Sequence, residues 1–154
     1  MGKLPKDFVV TAFIVKGEEV LLVMHKKLGM WLPIGGHIEL NEDLEEALER
    51  EIEEEAGVKV DVIAERRVDC ELEGVRSLPI PAQVQVEFID EKHEHIDLIY
   101  FAKYLEGKEK LADSEHDEIR WFHVSEIEED KKGIFNGNVK ALALKAVKAI
   151  NALE

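Results

Sequence analysis

The amino-acid sequence predicts a single α/β domain, residues 1–154, in which helices cover a mixed β-sheet. Its length of 154 residues falls in the range where one compact hydrophobic core is usual. Strand-like segments precede a strongly helical stretch, further strand-like segments follow it, and a second helical stretch comes last. This order favours a sheet with helices on both faces over a helical bundle or a β-sandwich.

The predicted strands are short segments rich in Val, Leu and Ile. They are residues 8–15, 19–25, 82–89, 96–104 and 119–124, with one or two more within residues 58–75. Lys16-Gly17 is a turn signal, so we expect the first two segments to form a strand pair. A short helix is predicted at residues 125–129. A longer one is predicted at residues 138–152, where Val139, Leu142 and Ala146 recur at helical spacing.

The composition limits the partners of the protein. It has 34 acidic and 20 basic side chains, a net charge of −14. Such a surface repels nucleic-acid polymers and anionic membranes, so we expect neither as a partner. No apolar run approaches the length of a membrane span, and the first residues lack a secretory signal, which favours a cytoplasmic location. Cys70 is the only cysteine, which excludes an internal disulfide and favours a reducing compartment.

The helical stretch at residues 42–56 is strongly acidic. Asn41 is the predicted N-cap, and Gly57 stands where a C′ glycine belongs. At about 100° per residue, Leu44, Leu48 and Ile52 lie on a stripe that faces the core. Five glutamates fall on the opposite side and are explained as a solvated face: Glu42, Glu45, Glu46, Glu49 and Glu53.

Three further glutamates do not fit a solvated face. Glu51, Glu54 and Glu55 continue the apolar stripe into the last turn, where the periodicity calls for Leu or Ile. Like charges three or four residues apart destabilise a helix by roughly 0.2–0.5 kcal/mol per pair. Arg50 can reach Glu46 and Glu54 but cannot offset the whole cluster. Carboxylate oxygens at this spacing suit Mg²⁺ or Mn²⁺, so this helix is predicted to bind a divalent metal.

Residues 36–58, GHIELNEDLEEALEREIEEEAGV, resemble the signature of the Nudix hydrolase family, G-x5-E-x7-R-E-U-x-E-E-x-G-U, where U is aliphatic. Every specified position is filled: Gly36, Glu42, Arg50, Glu51, Ile52, Glu54, Glu55, Gly57 and Val58. A chance match to so many positions is far rarer than a match to a short motif. The resemblance implies the Nudix-type α/β/α sandwich, a mixed sheet covered by helices.

The resemblance also implies roles for individual residues. Glu51 and Glu55 would be the principal metal ligands, and Glu54 a further ligand or the group that activates water. Gly36 would let the backbone approach the metal, and Arg50 would orient a carboxylate. The implied cofactor is Mg²⁺, with Mn²⁺ as an alternative. It would neutralise diphosphate oxygens and lower the pKa of a bound water.

Several residues outside the helix are weaker candidates. The resemblance implies that Glu42 anchors the turn into the helix. Glu39, Glu115 and Glu118 are candidates for an additional acidic ligand, although a solvated polar loop is the simpler interpretation. In a separate group, Lys26 and Lys27 could contact a phosphate, and Trp31 could stack on a nucleobase or belong to the core. Finally, His93, His95 and Asp97 share one strand face at a spacing that could hold zinc or simply form a polar surface.

The function predicted from these features is Mg²⁺-dependent cleavage of a diphosphate (pyrophosphate) linkage in a nucleotide. The substrate would be a nucleoside diphosphate derivative, such as a nucleoside triphosphate or a nucleotide sugar. One alternative is a Nudix-fold module that binds a nucleotide without cleaving it. Another is isoprenoid diphosphate isomerisation, for which Cys70 alone is a weak basis. The sequence leaves open whether the chain is a monomer or a homodimer.

Overall fold

The computed structural model describes residues 2–66, 68, 71–111 and 116–153, with Glu71 described by its backbone only. Cys70 and Glu115 lie outside these residues. The described strands are β1 (Lys6–Lys16), β2 (Glu19–His25), β3 (Met30–Leu32), β4 (Ile34–His37), β5 (Lys59–Ile63), β6 (Gln83–Asp90), β7 (His93–Glu106) and β8 (His116–His123). The described α-helices are α1 (Leu44–Glu55), α2 (Val124–Glu129) and α3 (Gly137–Asn151).

All of these strands belong to one mixed sheet whose centre is the parallel pair β1 and β7. On the other edge of β1, two strands pair with different stretches of it. Strand β4 pairs with residues 9–12 of β1, and β2 pairs with its last two residues. The sheet therefore divides between β2 and β4, and β4 carries the Gly35-Gly36 pair at this division.

Strand alternation places one hydrophobic core on each face of the sheet. Val10, Ala12 and Ile14 of β1 pack with α1, whereas Phe13 and Val15 belong to the core covered by α3. The α1 core includes Leu48 and Ile52, and the α3 core includes Val139, Leu142, Ala146 and Ile150. This arrangement confirms the predicted α/β class, with a mixed sheet covered by helices.

Helix α1 begins later than predicted, because Asp43 and not Asn41 is its N-cap. The Asp43 side chain accepts from the Glu46 N–H at 2.9 Å, and the Glu46 carboxylate accepts from the Asp43 N–H at 3.1 Å. Asn41 has a φ of 73° and belongs to the preceding loop. The sequence alone could not separate two neighbouring residues that both favour caps. Gly57, with a φ of 67°, does follow the helix as predicted.

The second half of the sheet also differs in detail from the prediction. Strand β7 starts at His93, three residues earlier than expected, because it pairs with the start of β1. Strand β6 exists as predicted, but its Val84, Val86 and Phe88 side chains are exposed, because neither hydrophobic core extends to them. Among the described residues, no helix has the length and apolar character needed to cross a bilayer.

Candidate active site

Helix α1 buries two of its glutamates against the backbone of β4. Glu51 is 9% exposed and Glu55 6% exposed, although the helix has open solvent on its other side. The carboxylate of Glu51 lies against Gly36. A β-carbon at position 36 would stand 2.2 Å from Oε1 of Glu51, well inside van der Waals contact. Only glycine leaves room for the carboxylate here.

The neighbouring Gly35 holds the second buried carboxylate. Its N–H donates to Oε2 of Glu55 over 3.4 Å. A β-carbon at position 35 would lie 2.4 Å from the carbonyl oxygen of Val10, so glycine is required for β4 to pair with β1 at this point. Gly36 thus leaves space for the Glu51 carboxylate, and Gly35 donates a hydrogen bond to Glu55.

The side chains of Glu51 and Glu55 also interact with each other. Burial raises the pKa of Glu51, while its interactions with Glu55 and Arg50 act in the opposite direction. Two buried carboxyl groups in contact do not both ionise without a compensating positive charge. A divalent cation supplies such a charge, and two neighbouring carboxylates provide the hard oxygen donors that Mg²⁺ and Mn²⁺ prefer. The donor set therefore fits the metal implied by the family resemblance.

Arg50 links the helix to the loop that precedes it. Its Nε and Nη2 donate to the two oxygens of Glu42 at 2.7 and 2.9 Å, and Nη2 also donates to the His37 carbonyl at 3.0 Å. Its Nη1 donates to Glu51 at 2.9 Å and to Glu54 at 3.3 Å. These partners, the Glu42 hydrogen bond foremost, raise the pKa of the guanidinium. The predicted contact with Glu46 is absent, since Glu46 caps the helix instead.

Two predicted positions on the helical wheel were wrong. Glu42, assigned to the solvated face, precedes the helix and is largely enclosed by its bonds to Arg50 and to the Glu39 N–H. Those hydrogen bonds, with Arg50 the larger effect, hold the pKa of Glu42 below its usual value. Glu54, assigned to the inward face, is 60% exposed at the rim. The helical-wheel prediction treated residue 42 as helical. It also assumed that all three glutamates after Arg50 continue the apolar stripe into the last turn.

The remaining candidate residues do not all gather at this site. Glu39 is exposed, with its carboxylate 3.9 Å from Arg50. Glu118 lies on β8 and lines an open pocket together with Trp31 and Arg120, on the face of the sheet that α3 covers. The structure does not bring Glu118 to the α1 carboxylates, and Glu115 lies outside the described residues.

The predicted substrate-binding residues surround β3. Trp31 is buried, with its ring packed edge-on against Phe122 at a centroid distance of 4.7 Å, and it also lines the open pocket. Lys26 and Lys27 are exposed in the turn between β2 and β3. Sequence reasoning missed Gly35 and the His37 carbonyl. The Gly35-Gly36 pair is visible in the sequence and could have indicated Gly35. The contact of a backbone carbonyl has no signal in the sequence.

Comparisons with known proteins identify the family of the chain. The family described as the NUDIX domain matches residues 5–143, and the chain belongs to this family. A Nudix-family hydrolase from Clostridium perfringens has a crystal structure that is 31% identical, with a TM-score of 0.82 over 96% of this chain and 99% of that one. The MutT protein from Methanosarcina mazei Go1, 20% identical, has the same fold, with a TM-score of 0.68 over 97% of this chain and 98% of that one.

One curated relative is longer than this chain. The NAD-capped RNA hydrolase NudC of Actinobacillus succinogenes is 29% identical over 115 residues, which are 70% of this chain. The match covers 36% of that protein, so the chain spans about a third of the relative. The family and the sandwich fold predicted from residues 36–58 are thereby confirmed.

Proposed function

We propose that the protein is a Mg²⁺-dependent hydrolase that cleaves the diphosphate linkage of a nucleoside diphosphate derivative. The observation that carries this proposal is the burial of Glu51 and Glu55 together against Gly35 and Gly36. A binding module could form the same fold without placing two carboxylates in contact. Arg50 offsets part of their mutual repulsion through Glu51, and a bound divalent cation would offset the rest.

The proposal assigns Glu51, Glu55 and the backbone beside Gly36 as the residues that hold the metal. When bound, Mg²⁺ would neutralise phosphate oxygens and lower the pKa of a water molecule. Arg50 keeps Glu51 in place through Nη1 while its Nε and Nη2 hold the loop, so the carboxylates are positioned before substrate arrives. Pre-positioning of this kind lowers the cost of ordering the site during the reaction.

Glu54 is the proposed acceptor of the proton from the attacking water. Unlike Glu51 and Glu55, it is exposed at the rim, and the only hydrogen bond found for its side chain among the described residues comes from Arg50 at 3.3 Å. A carboxylate with remaining acceptor capacity and access to solvent suits a general base. Arg50 would limit the motion of Glu54 without neutralising it completely.

The nucleoside part of the substrate is proposed to bind near Trp31. Trp31 precedes Gly36 by five positions, so the Cα atoms of these two residues are at most roughly 17 Å apart. That length is comparable to a nucleotide carrying two or three phosphates. In the same proposal, the exposed Lys26 and Lys27 approach the phosphates. The cytoplasmic location and the lack of a polymer partner remain predictions from the sequence, which leaves open whether the chain forms a homodimer.

A substrate panel tests the proposal. Nucleoside triphosphates, nucleotide sugars and dinucleoside polyphosphates are incubated with Mg²⁺, Mn²⁺ or EDTA, and the products are separated by chromatography. We expect at least one substrate to be cleaved between two phosphates, with activity abolished by EDTA. Metal-dependent nucleotide binding without turnover of any substrate would instead identify a non-catalytic Nudix-fold module.

A further inference from the structure

A second group of metal-binding side chains lies on the face of the sheet opposite α1. Asp7 on β1 and both His93 and His95 on β7 each place one ligand atom within 4.8 Å of the other two. Strand alternation puts Asp7 on the same side as Phe13, which belongs to the α3 core. The group is therefore separated by the sheet from the hydrophobic face on which α1 packs.

Strand register explains why these residues meet. The parallel pairing of β1 and β7 places Asp7 directly beside His95, and His93 lies two residues earlier on the same face of β7. The sequence had suggested Asp97 as the acidic member of this group. In the structure Asp97 accepts a hydrogen bond from the Thr11 hydroxyl at 2.7 Å, and Asp7 takes the position beside the imidazoles.

His93 is oriented as metal-bound histidines are. Its Nδ1 lies 3.1 Å from Oδ1 of Asp90, the oxygen that also accepts the backbone N–H groups of Lys92 and His93. A carboxylate only accepts hydrogen bonds, so Nδ1 carries a proton and the neutral ring presents the lone pair of Nε2. That Nε2 points towards Asp7, 4.0 Å from Oδ2. A carboxylate that fixes the tautomer of a ligand histidine is a regular feature of zinc sites.

His95 supplies an independent indication of a ligand. Its Nε2 atom is buried and has no hydrogen-bond partner among the described residues. Buried polar atoms in folded proteins nearly always have a partner, so such an atom requires an explanation. Its neighbours are two further imidazoles, His37 and His93, with ring centroids 5.0 and 5.2 Å away.

We propose that Asp7, His93 and His95 bind a divalent transition-metal ion such as Zn²⁺, at a site distinct from the Glu51–Glu55 pair. Two imidazoles and one carboxylate suit zinc and disfavour Mg²⁺, which prefers oxygen donors. Zinc–ligand bonds of about 2.0–2.1 Å require donor atoms roughly 3.3 Å apart, so the ligands must close in slightly. The half-exposed Asp7 side chain can make that movement. His37, with Nε2 3.8 Å from Oδ2 of Asp7, is a candidate for the fourth position.

The test is zinc competition against a chromophoric chelator, with tag-free protein, excess Mg²⁺ and prior removal of metals. We expect one zinc ion per chain, with affinity reduced at least tenfold in His93→Gln and in His95→Gln. Asp90→Asn should weaken binding by about 10–100-fold, because it loosens the orientation of His93. The matched control is His25→Gln. His25 lies on β2 and is not one of the three proposed ligands, so this variant should bind zinc with the affinity of the wild type.

Two further measurements separate this site from the glutamates and from folding defects. Glu55→Gln should keep the zinc affinity, and zinc should raise the Tm of the wild type but not that of His95→Gln. Cobalt in place of zinc should give visible absorption bands that disappear in the histidine variants. Absence of micromolar zinc binding, full retention of it in both histidine variants, or its loss in Glu55→Gln would overturn the proposal.

Discussion

The carboxylate of Glu51 occupies the space in which any residue other than glycine at position 36 would carry its β-carbon. The distance from that β-carbon position to Oε1 of Glu51 is 2.2 Å. Helix α1 and strand β4 therefore pack closely at a point where β4 has a glycine and α1 has a buried carboxylate. This contact fixes the position of the Glu51 carboxylate, one of the two proposed metal ligands, relative to the backbone.

Gly36→Ala should inactivate the enzyme without unfolding it. The added methyl group displaces the end of the Glu51 side chain, which can move, whereas the backbone of β4 stays paired with β1. A displacement of about 1 Å at a catalytic site can reduce the rate by roughly 100-fold. Turnover and thermal melts of Gly36→Ala check this. The control Gly137→Ala, whose β-carbon would meet no atom within 4 Å, should behave as the wild type. Wild-type turnover by Gly36→Ala would show that the contact has no role.

Arg50→Lys should reduce both stability and activity. Lysine cannot hold Glu42, Glu51 and the His37 carbonyl together, because it lacks the planar fork of donors. Hydrogen bonds to charged groups contribute about 1.5–3 kcal/mol each, so a loss of about 2–4 kcal/mol in the free energy of unfolding is expected. Chemical denaturation measures it.

The control for this loss is Arg76→Lys. Arg76 is more than half exposed and pairs with Asp43 and Glu45 at the surface. Exposed ion pairs contribute about 1 kcal/mol or less, so this variant should stay close to the wild type in stability. Equal losses for Arg50→Lys and Arg76→Lys would contradict the view that Arg50 organises the site.

Asp43→Ala should destabilise the protein by about 1 kcal/mol, the usual cost of losing an N-cap. The comparison variant is Asn41→Gly, which removes a candidate cap but relieves a positive φ of 73°. Its free energy of unfolding should match or exceed that of the wild type. Denaturation curves of both variants decide whether Asp43 or Asn41 caps α1, and a larger loss for Asn41→Gly would favour the position predicted from the sequence.

The sequence predicted the features that depend on local pattern. Strand β2 has the predicted limits, and Gly57 ends α1, because alternation and glycine signals act over a few residues. The burial of Glu51 and Glu55 also followed from helical spacing. The start of α1 could not be predicted in this way, because Asn41 and Asp43 both favour the N-cap position. Which of the two caps the helix depends on the preceding loop, which Arg50 holds.

Contacts between distant parts of the chain were beyond the sequence patterns. Nothing local shows that Glu42 would accept two hydrogen bonds from Arg50, or that Glu54 would reach the rim. The pairing of Asp7 with His95 joins residues far apart in the chain through the register of β1 and β7. These relationships depend on how α1 and the strands pack in three dimensions, which a single sequence does not encode in short-range periodicity.

The enzyme should act on diphosphates and not on simple phosphomonoesters. The proposed metal site needs oxygens from two adjacent phosphoryl groups for a bidentate grip. The measurement compares p-nitrophenyl phosphate with a panel of nucleotides under identical Mg²⁺ concentrations. Fast release of p-nitrophenol, with every nucleotide left intact, would show that the reaction is different.

Glu55→Gln tests the central claim, that a buried carboxylate pair exists to bind metal. The substitution removes one negative charge but keeps an oxygen that can accept the Gly35 N–H and adds an N–H that can donate to Glu51. The metal-free variant should therefore be at least as stable as the wild type. Its catalysis should fall by orders of magnitude, because a neutral amide is a poor ligand for Mg²⁺.

The most direct measurement is the shift in Tm between EDTA and Mg²⁺, recorded together with turnover for the wild type, Glu55→Gln and the exposed control Glu49→Gln. Wild type and Glu49→Gln should show the same Mg²⁺-dependent rise in Tm and the same activity. Glu55→Gln should lose both the rise and the activity while melting in EDTA at or above the wild-type temperature. An active Glu55→Gln enzyme that Mg²⁺ still stabilises would contradict the assignment of the buried pair as the metal site.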